Sequence, residues 1–285
     1  HISNGSDKVK EFILENINIF HINIFAECGP ECLSAGTTEV LVYLTPSSSS
    51  LNHNWKTNES YYLDRRTKGT QTTVDISADT VFGIRHGLET LSQLIASYPV
   101  YNHKHRTSQR GLVILSGAKI HDEPFYAHRG LLLDTARNFL PIHTIKKQID
   151  GMAASKLNIL HWHATDSQSF PLELPRTPQM AKYGAYSSSK VYRPSDIREL
   201  VRYAKLRGVR IILEMDAPSH AGNGWQWGPE AGLGNLAVCI NKMPWRSYCI
   251  QPPCGQLNPV NRNLYTVLSN LYQDFVELIP NSETF

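Results

Sequence analysis

The sequence has no stretch approaching the roughly 18 consecutive apolar residues that a membrane-spanning helix needs, which excludes a span in this segment. It has no excess of one charge. Lys and Arg number 28 against 25 Asp and Glu, a net +3, too mild for a nucleic-acid surface. Internal repeats are absent, and the one low-complexity run is Ser47 to Ser50 after Pro46. Cysteine is sparse, at Cys28, Cys32, Cys239, Cys249 and Cys254. Neither the Cys28–Cys32 pair nor the later trio has a zinc-site spacing. No charged-then-apolar signal follows His1, so a leader has been removed or the sequence begins inside a longer protein. What is present is 285 residues, 41 % hydrophobic and 9 % aromatic. That is enough to bury a core, and it argues against disorder. At roughly 100–200 residues per domain, it suggests one large domain or two ordinary ones. Asn4-Gly5-Ser6 and Asn58-Glu59-Ser60 are N-glycosylation sequons. With cysteines clustered beside Gly and Pro, they tilt the reading to an oxidising compartment. The odd cysteine count leaves one thiol free, or paired outside these residues.

Up to about residue 125 the pattern predicts short strands and one helix. Thr38 to Thr45, Ser60 to Arg66 and Thr70 to Ser77 are β-rich or alternating segments between turn residues. Asp79 is the expected cap of a helix with Val81, Ile84, Leu88, Leu91 and Ile95 on one face, stopped by Pro99. Gly111 to Lys119 reads as a returning strand. The segment 1–125 is thus a small α+β domain.

From 126 the grammar becomes βα alternation. The expected strands are Leu131 to Leu133, Leu157 to Ala164 and Val209 to Asp216. Helices follow from Pro141, from Ser195 to the stop at Gly208, and over Asn263 to Leu278. Glu283 to Phe285 reads as the start of a fourth strand. Polar residues gather at the C-terminal strand ends: Asp134, then His161, His163 and Asp166, then Glu214 and Asp216. Active residues of (β/α)8 barrels collect there. The fold class is therefore α/β: the first three βα units of a TIM barrel, residues 126–285, after a small α+β domain. About 160 residues remain after Tyr126, whereas a closed barrel needs roughly 250. The sequence is thus expected to stop within its own domain.

His161-Trp162-His163 sets two imidazoles on one side of a strand. They could ligate a metal with Asp166, Asp216 or His220. They could instead orient carboxylates and hydroxyls, or simply fill a polar barrel mouth. Glu214 and Asp216 form a carboxyl pair suited to acid–base work or to a structural hydrogen-bond hub; the hub is favoured, because Glu214 should lie deeper than a substrate reaches. The long segment Ala217–Asn258 carries His220, Trp225, Trp227 and Trp245 among several glycines. A loop of that length is usually functional. Its indoles suit sugar faces, although for two of the three, packing onto the domain is the expected role.

These residues resemble the glycoside hydrolase family 20 β-N-acetylhexosaminidases in their animal and arthropod form. The matching pieces are His128-Arg129-Gly130 with Leu133-Asp134-Thr135-Ala136-Arg137-Asn138, then His161 to Asp166, Glu214 to His220, and Pro252 to Pro259. The resemblance implies retaining exo-hydrolysis of terminal β-linked GlcNAc or GalNAc, assisted by the substrate's own 2-acetamido group. It implies Asp166 and His220 as a relay that orients the acid, Arg129 as a ligand of sugar hydroxyls, and Trp245 as a stacking platform for a second sugar. It implies no metal and no cofactor, a glycan partner, and the secretory pathway (secreted, Golgi lumen or lysosome). It also allows a homodimer, with no interface located in the sequence. The family's Asp-Glu pair belongs to a His-x-Gly-Gly-Asp-Glu motif expected beyond Phe285, so residues 1–285 alone are expected to be inactive. The Trp227-Gly228-Pro229-Glu230 stretch looks closer to the fused-lobes type, which trims N-glycans, with chitooligosaccharides next. The alternatives are a non-catalytic carbohydrate-binding protein and a metal-dependent barrel hydrolase using His161 and His163.

Overall fold

The computed structural model describes residues 1–2, 6–29, 32, 39–102 and 107–280. They divide into two compact units, His1–Ala127 with Leu206–Gly208, and His128–Lys205 with Val209–Phe285. Asn4 and the anticipated strand at Glu283–Phe285 lie outside the described residues.

The first unit contains α1 (Asp7–Cys28), β1 (Glu39–Pro46), β2 (Tyr61–Lys68), β3 (Gln71–Ala78), α2 (Val81–Gln93), β4 (Ile95–Asn102), β5 (Thr107–Ile114) and β6 (Ala118–Asp122). Its sheet has the order β1-β3-β2-β6, with β1 parallel to β3 and β2 antiparallel to both neighbours. Alternation explains the buried face: Tyr61, Leu63 and Arg65 on β2 and Thr72, Val74, Ile76 and Ala78 on β3 point inward. The helix α2 lies close on that face because two glycines present no side chain. A Cβ at Gly83 would stand 2.4 Å from the Ser60 carbonyl oxygen, and one at Gly87 would stand 2.4 Å from Ile76 Cγ2.

Three readings of this unit need correction. The helix α1 was not anticipated. Its buried positions Val9, Phe12, Ile13 and Asn16 keep a helical spacing. The Asn-Ile alternation that follows, and β-branched residues with weak helix propensity, obscured it. The cap of α2 is Thr80, not Asp79, and its side chain accepts from the Gly83 amide at 3.2 Å. Ile95 begins β4 instead of continuing α2, and Pro99 lies within β4. Among the described residues that strand pairs only with β5, in a two-stranded ribbon whose open edge tolerates a missing N–H.

The second unit runs β7 (Gly130–Asp134), α3 (Ile142–Ala154), β8 (Ile159–Thr165), α4 (Gln179–Gly184), α5 (Pro194–Leu206), β9 (Arg210–Met215), β10 (Ala237–Val238), β11 (Gln256–Leu257) and α6 (Arg262–Leu278). The strands β7, β8 and β9 are parallel neighbours. The expected βα alternation is therefore present, as an open three-stranded sheet and not a closed barrel among the described residues. Register aligns Asp134, His163 and Glu214 in one row at the C-terminal strand ends. On the opposite face Trp162 is fully buried. Its indole donates to Thr135 Oγ1 at 2.8 Å and meets Tyr192 edge-on at 5.1 Å.

Disulfides join Cys28 to Cys32 and Cys249 to Cys254, leaving Cys239 as the free thiol. Two formed disulfides accord with an oxidising compartment. The close approach of α2 gives a test. Gly83→Ala forces a Cβ into backbone and should cost about 1–3 kcal/mol, read as a lowered denaturation midpoint. An unchanged midpoint would mean that α2 can withdraw from the sheet freely.

Candidate active site

The three parallel strands deliver their C-terminal ends to one place. There β7 ends in Asp134 and runs on to Arg137; β8 supplies His161, His163 and, just beyond its end, Asp166. From β9 come Glu214 and the following Asp216 and His220. The backbone at the end of β7 wraps round Asp134, whose Oδ1 accepts from the Ala136 and Arg137 amides at 3.0 and 3.1 Å. That turn aims the Arg137 guanidinium back across the strand ends.

Asp166 is buried at the centre. Its Oδ2 lies 2.6 Å from Arg137 Nη2 and 3.2 Å from His163 Nε2. Its Oδ1 accepts from the Ser167 amide and stands 3.0 Å from His220 Nδ1. Burial alone would raise the Asp166 pKa, but His163, the Ser167 amide, His220 and Arg137 together hold it below the usual carboxylate range. Asp134 is likewise held low: burial opposes it, and Arg137, bonded through both backbone and side chain, outweighs that. His163 meets carboxylates on both sides, with Nδ1 2.9 Å from Glu214 Oε2. The bond to Asp166 raises its pKa most, burial opposes, Glu214 adds to the rise, and the result is about 9. That value favours the imidazolium of His163 at neutral pH, set between Asp166 and Glu214.

His161 reaches the same Glu214 Oε2 from Nε2 at 2.6 Å. Glu214 Oε2 thus faces both imidazoles, but its side chain is as exposed as that of Asp216, where a deeper position had been expected. Asp216 stands farther off, with Oδ2 4.0 Å from His220 Nδ1. Donor atoms of His163, Asp166 and Asp216 come within 4.8 Å of one another, close enough to hold an ion. The donor set fits a metal poorly, because the Arg137 guanidinium already pairs with Asp166 at 2.6 Å. His161 is not in that group.

The structure brings Asp166 and His220 together, and it sets Arg129 apart. Arg129 precedes β7, at the N-terminal end of the strands, where its Nε donates to the Lys156 carbonyl at 2.9 Å. The arginine among the carboxylates is Arg137. The rule that barrel chemistry collects at C-terminal strand ends could have found it, since Arg137 follows Asp134 by three residues. Trp225 and Trp227 are buried: Trp225 meets Phe170 edge-on, and Trp227 Nε1 lies 3.3 Å from Met180 Sδ. These are the two packing indoles expected of the loop. Trp245 is half-buried on a single 3-10 turn beside the Cys249–Cys254 disulfide, with the Arg246 guanidinium 4.5 Å from its ring centroid.

Known proteins share this organisation. The family model "Glycosyl hydrolase family 20, catalytic domain" matches residues 126–285, and "beta-acetyl hexosaminidase like" matches residues 31–94. A probable beta-hexosaminidase fdl of Drosophila melanogaster is 45 % identical over 230 residues, 81 % of this chain and 34 % of the relative. The chitooligosaccharidolytic beta-N-acetylglucosaminidase of Bombyx mori is 47 % identical over 229 residues, 80 % of this chain and 36 % of the relative. The X-ray structure of Flavobacterium johnsoniae chitobiase superposes with a TM-score of 0.71 at 26 % identity, over 98 % of this chain and 39 % of that one. The chain spans about a third of the length of the curated relatives it matches.

The charge state of the cluster can be tested directly. The His163 pKa of about 9 exceeds the ordinary 6.5. Its contribution to stability is therefore complete below pH 6.5 and is lost as pH rises through about 9. In a pH series of thermal midpoints, His163→Gln should remove the fall between those limits. An imidazole nitrogen resonance of His163 that titrates at an ordinary histidine value would refute the raised pKa.

Proposed function

The chain belongs to glycosyl hydrolase family 20, and on that premise we propose that the protein is a β-N-acetylhexosaminidase. It removes terminal β-linked GlcNAc or GalNAc by exo-hydrolysis with retention of configuration. The observation that carries this reading is the pair formed by His220 Nδ1 and Asp166 Oδ1, 3.0 Å apart at the C-terminal strand ends. Asp166, held ionised, fixes His220 in the tautomer that donates from Nδ1. Nε2 is then left as an acceptor for the acid that protonates the leaving oxygen. The nucleophile is the 2-acetamido oxygen of the substrate, so the protein need not supply one. No metal or cofactor takes part in this scheme.

Arg137, rather than Arg129, is the residue suited to binding sugar hydroxyls, since its guanidinium lies with Asp134 and Asp166. Trp245, half-buried on its 3-10 turn, offers a ring for a second sugar. N-glycans are the favoured substrate and chitooligosaccharides the next. The N-glycan reading rests on the likeness of the Trp227-Gly228-Pro229-Glu230 stretch to the fused-lobes type. Work on such glycans places the protein in the secretory pathway: secreted, Golgi-lumenal or lysosomal. A homodimer remains the proposed assembly.

The 285 residues hold no His-x-Gly-Gly-Asp-Glu motif, so by this reading they do not by themselves hydrolyse a chromogenic GlcNAc glycoside. Hydrolysis by the purified 285-residue polypeptide would show that the motif is dispensable. In a preparation with measurable activity, Asp166→Asn should lower kcat on the order of 10²-fold. Arg137→Gln should lower kcat/KM by roughly 10- to 150-fold, the worth of one charged hydrogen bond, and Arg129→Gln should leave it nearly unchanged. The reverse ranking of the two arginines would return the sugar-binding role to Arg129.

A further inference from the structure

The sequon Asn58-Glu59-Ser60 lies outside the site described above, in the loop that leads into β2. Asn58 is exposed, and its side-chain oxygen is already engaged. Oδ1 accepts from the Ser60 amide at 3.0 Å and from the Ser60 hydroxyl at 2.7 Å. These two bonds fix the amide plane and turn Nδ2 the other way, where it has no hydrogen-bond partner among the described residues. The backbone beneath is pinned independently. The Asn58 carbonyl accepts from Thr80 Oγ1 at 2.6 Å, the same hydroxyl that caps α2. Glu59 turns inward, buried beside His53 at 3.2 Å, and Tyr61 is buried with its hydroxyl 2.9 Å from Asp122 Oδ2. Every contact that holds the turn thus runs through atoms other than Asn58 Nδ2.

We propose that Asn58 carries an N-linked glycan, and that the folded turn accommodates it unchanged. The donor is a lipid-pyrophosphate-linked oligosaccharide. The Asn58 Nδ2 forms a bond to the anomeric carbon as the carbon–oxygen bond to pyrophosphate breaks. The lipid pyrophosphate departs with the electron pair, and one Nδ2 proton passes to a base of the transferring enzyme. The Ser60 hydroxyl two residues on supplies what the acceptor motif requires. In the product, Oδ1 keeps both bonds from Ser60 and Nδ2 keeps one hydrogen, so no contact of the fold is lost.

The test is translation of the chain, behind a cleavable signal, into rough microsomes, with analysis of the protease-protected product. Release by peptide-N-glycosidase in oxygen-18 water should convert Asn58 to labelled Asp in most of the protected chain. Asn58→Asp keeps the Oδ1 acceptor while abolishing the modification, and Ser60→Ala should abolish it too. Ser60→Thr should retain it. After detergent release, the glycosylated chain and Asn58→Asp should show the same limited-proteolysis pattern. A protected chain with unmodified Asn58, whether or not Asn4 is modified, would overturn the proposal. New cleavage near residue 58 in the glycosylated form alone would overturn the claim that the turn accommodates the sugar.

Discussion

The polar end of the second unit depends on one buried carboxylate. Asp166 accepts from Arg137 and His163 on one oxygen and from His220 and the Ser167 amide on the other. Its partners come from the end of β7, from β8 and from the loop after β9, so a single side chain ties three strand ends together. A buried carboxylate without partners would be costly, and here the donors more than compensate. The reverse dependence is equally strong. Arg137 Nη1 lies 3.2 Å from His163 Nε2, and both groups face the Asp166 carboxylate.

That constraint also explains the loop after β9. His220 is held with φ of 58°, in the left-handed region, a conformation that costs a non-glycine residue of order 1–3 kcal/mol. The bond to Asp166 is one offset, and the packed loop behind His220 is another. Gly224, at φ 100°, comes so near Phe170 that a Cβ would stand 2.7 Å from its Cβ. A Cβ at Gly255 would stand 2.5 Å from the Ala221 carbonyl oxygen. With Trp225 and Trp227 buried, the segment forms a packed layer with little regular structure. Its close packing lets a loop histidine serve a site built on strands.

Legibility followed periodicity. The βα alternation of the second unit was readable because Ile145, Ile149 and Met152, and Ile197, Leu200 and Ala204, keep one helical face over alternating apolar strands. In contrast, α1 was not, although Val9, Phe12, Ile13 and Asn16 carry the spacing, because its middle alternates like a strand. The end of α2 was misread for a related reason. Ile95 falls on the helical face by count, yet pairs with Ile114 in the ribbon, and a ribbon contact at that distance leaves no local trace. At the site, Asp166 and His220 are 54 residues apart. Only the strand-end rule and the family motif could suggest that they meet. The arginine shows the limit of a motif: Arg129 and Arg137 fall in the same matched stretch, and only the direction of β7 separates one end of the sheet from the other.

The charge state of this cluster bears on any chemistry performed above it. Asp134 and Asp166 are held below the usual carboxylate range, and His163 is held near 9. Between those limits neither carboxylate nor the imidazolium changes protonation. A carboxylic acid placed above such a floor has an ordinary value near 4 and reaches about 6 to 7 when raised for acid catalysis, inside the interval where the floor is constant. The field that Asp134, Asp166 and His163 exert on it is then constant, so the alkaline limb of a rate profile, where that acid loses its proton, would belong to the acid and not to these three residues. Asp134, Asp166 and His163 thus supply a constant charge at the strand ends, against which a group that meets the substrate can titrate.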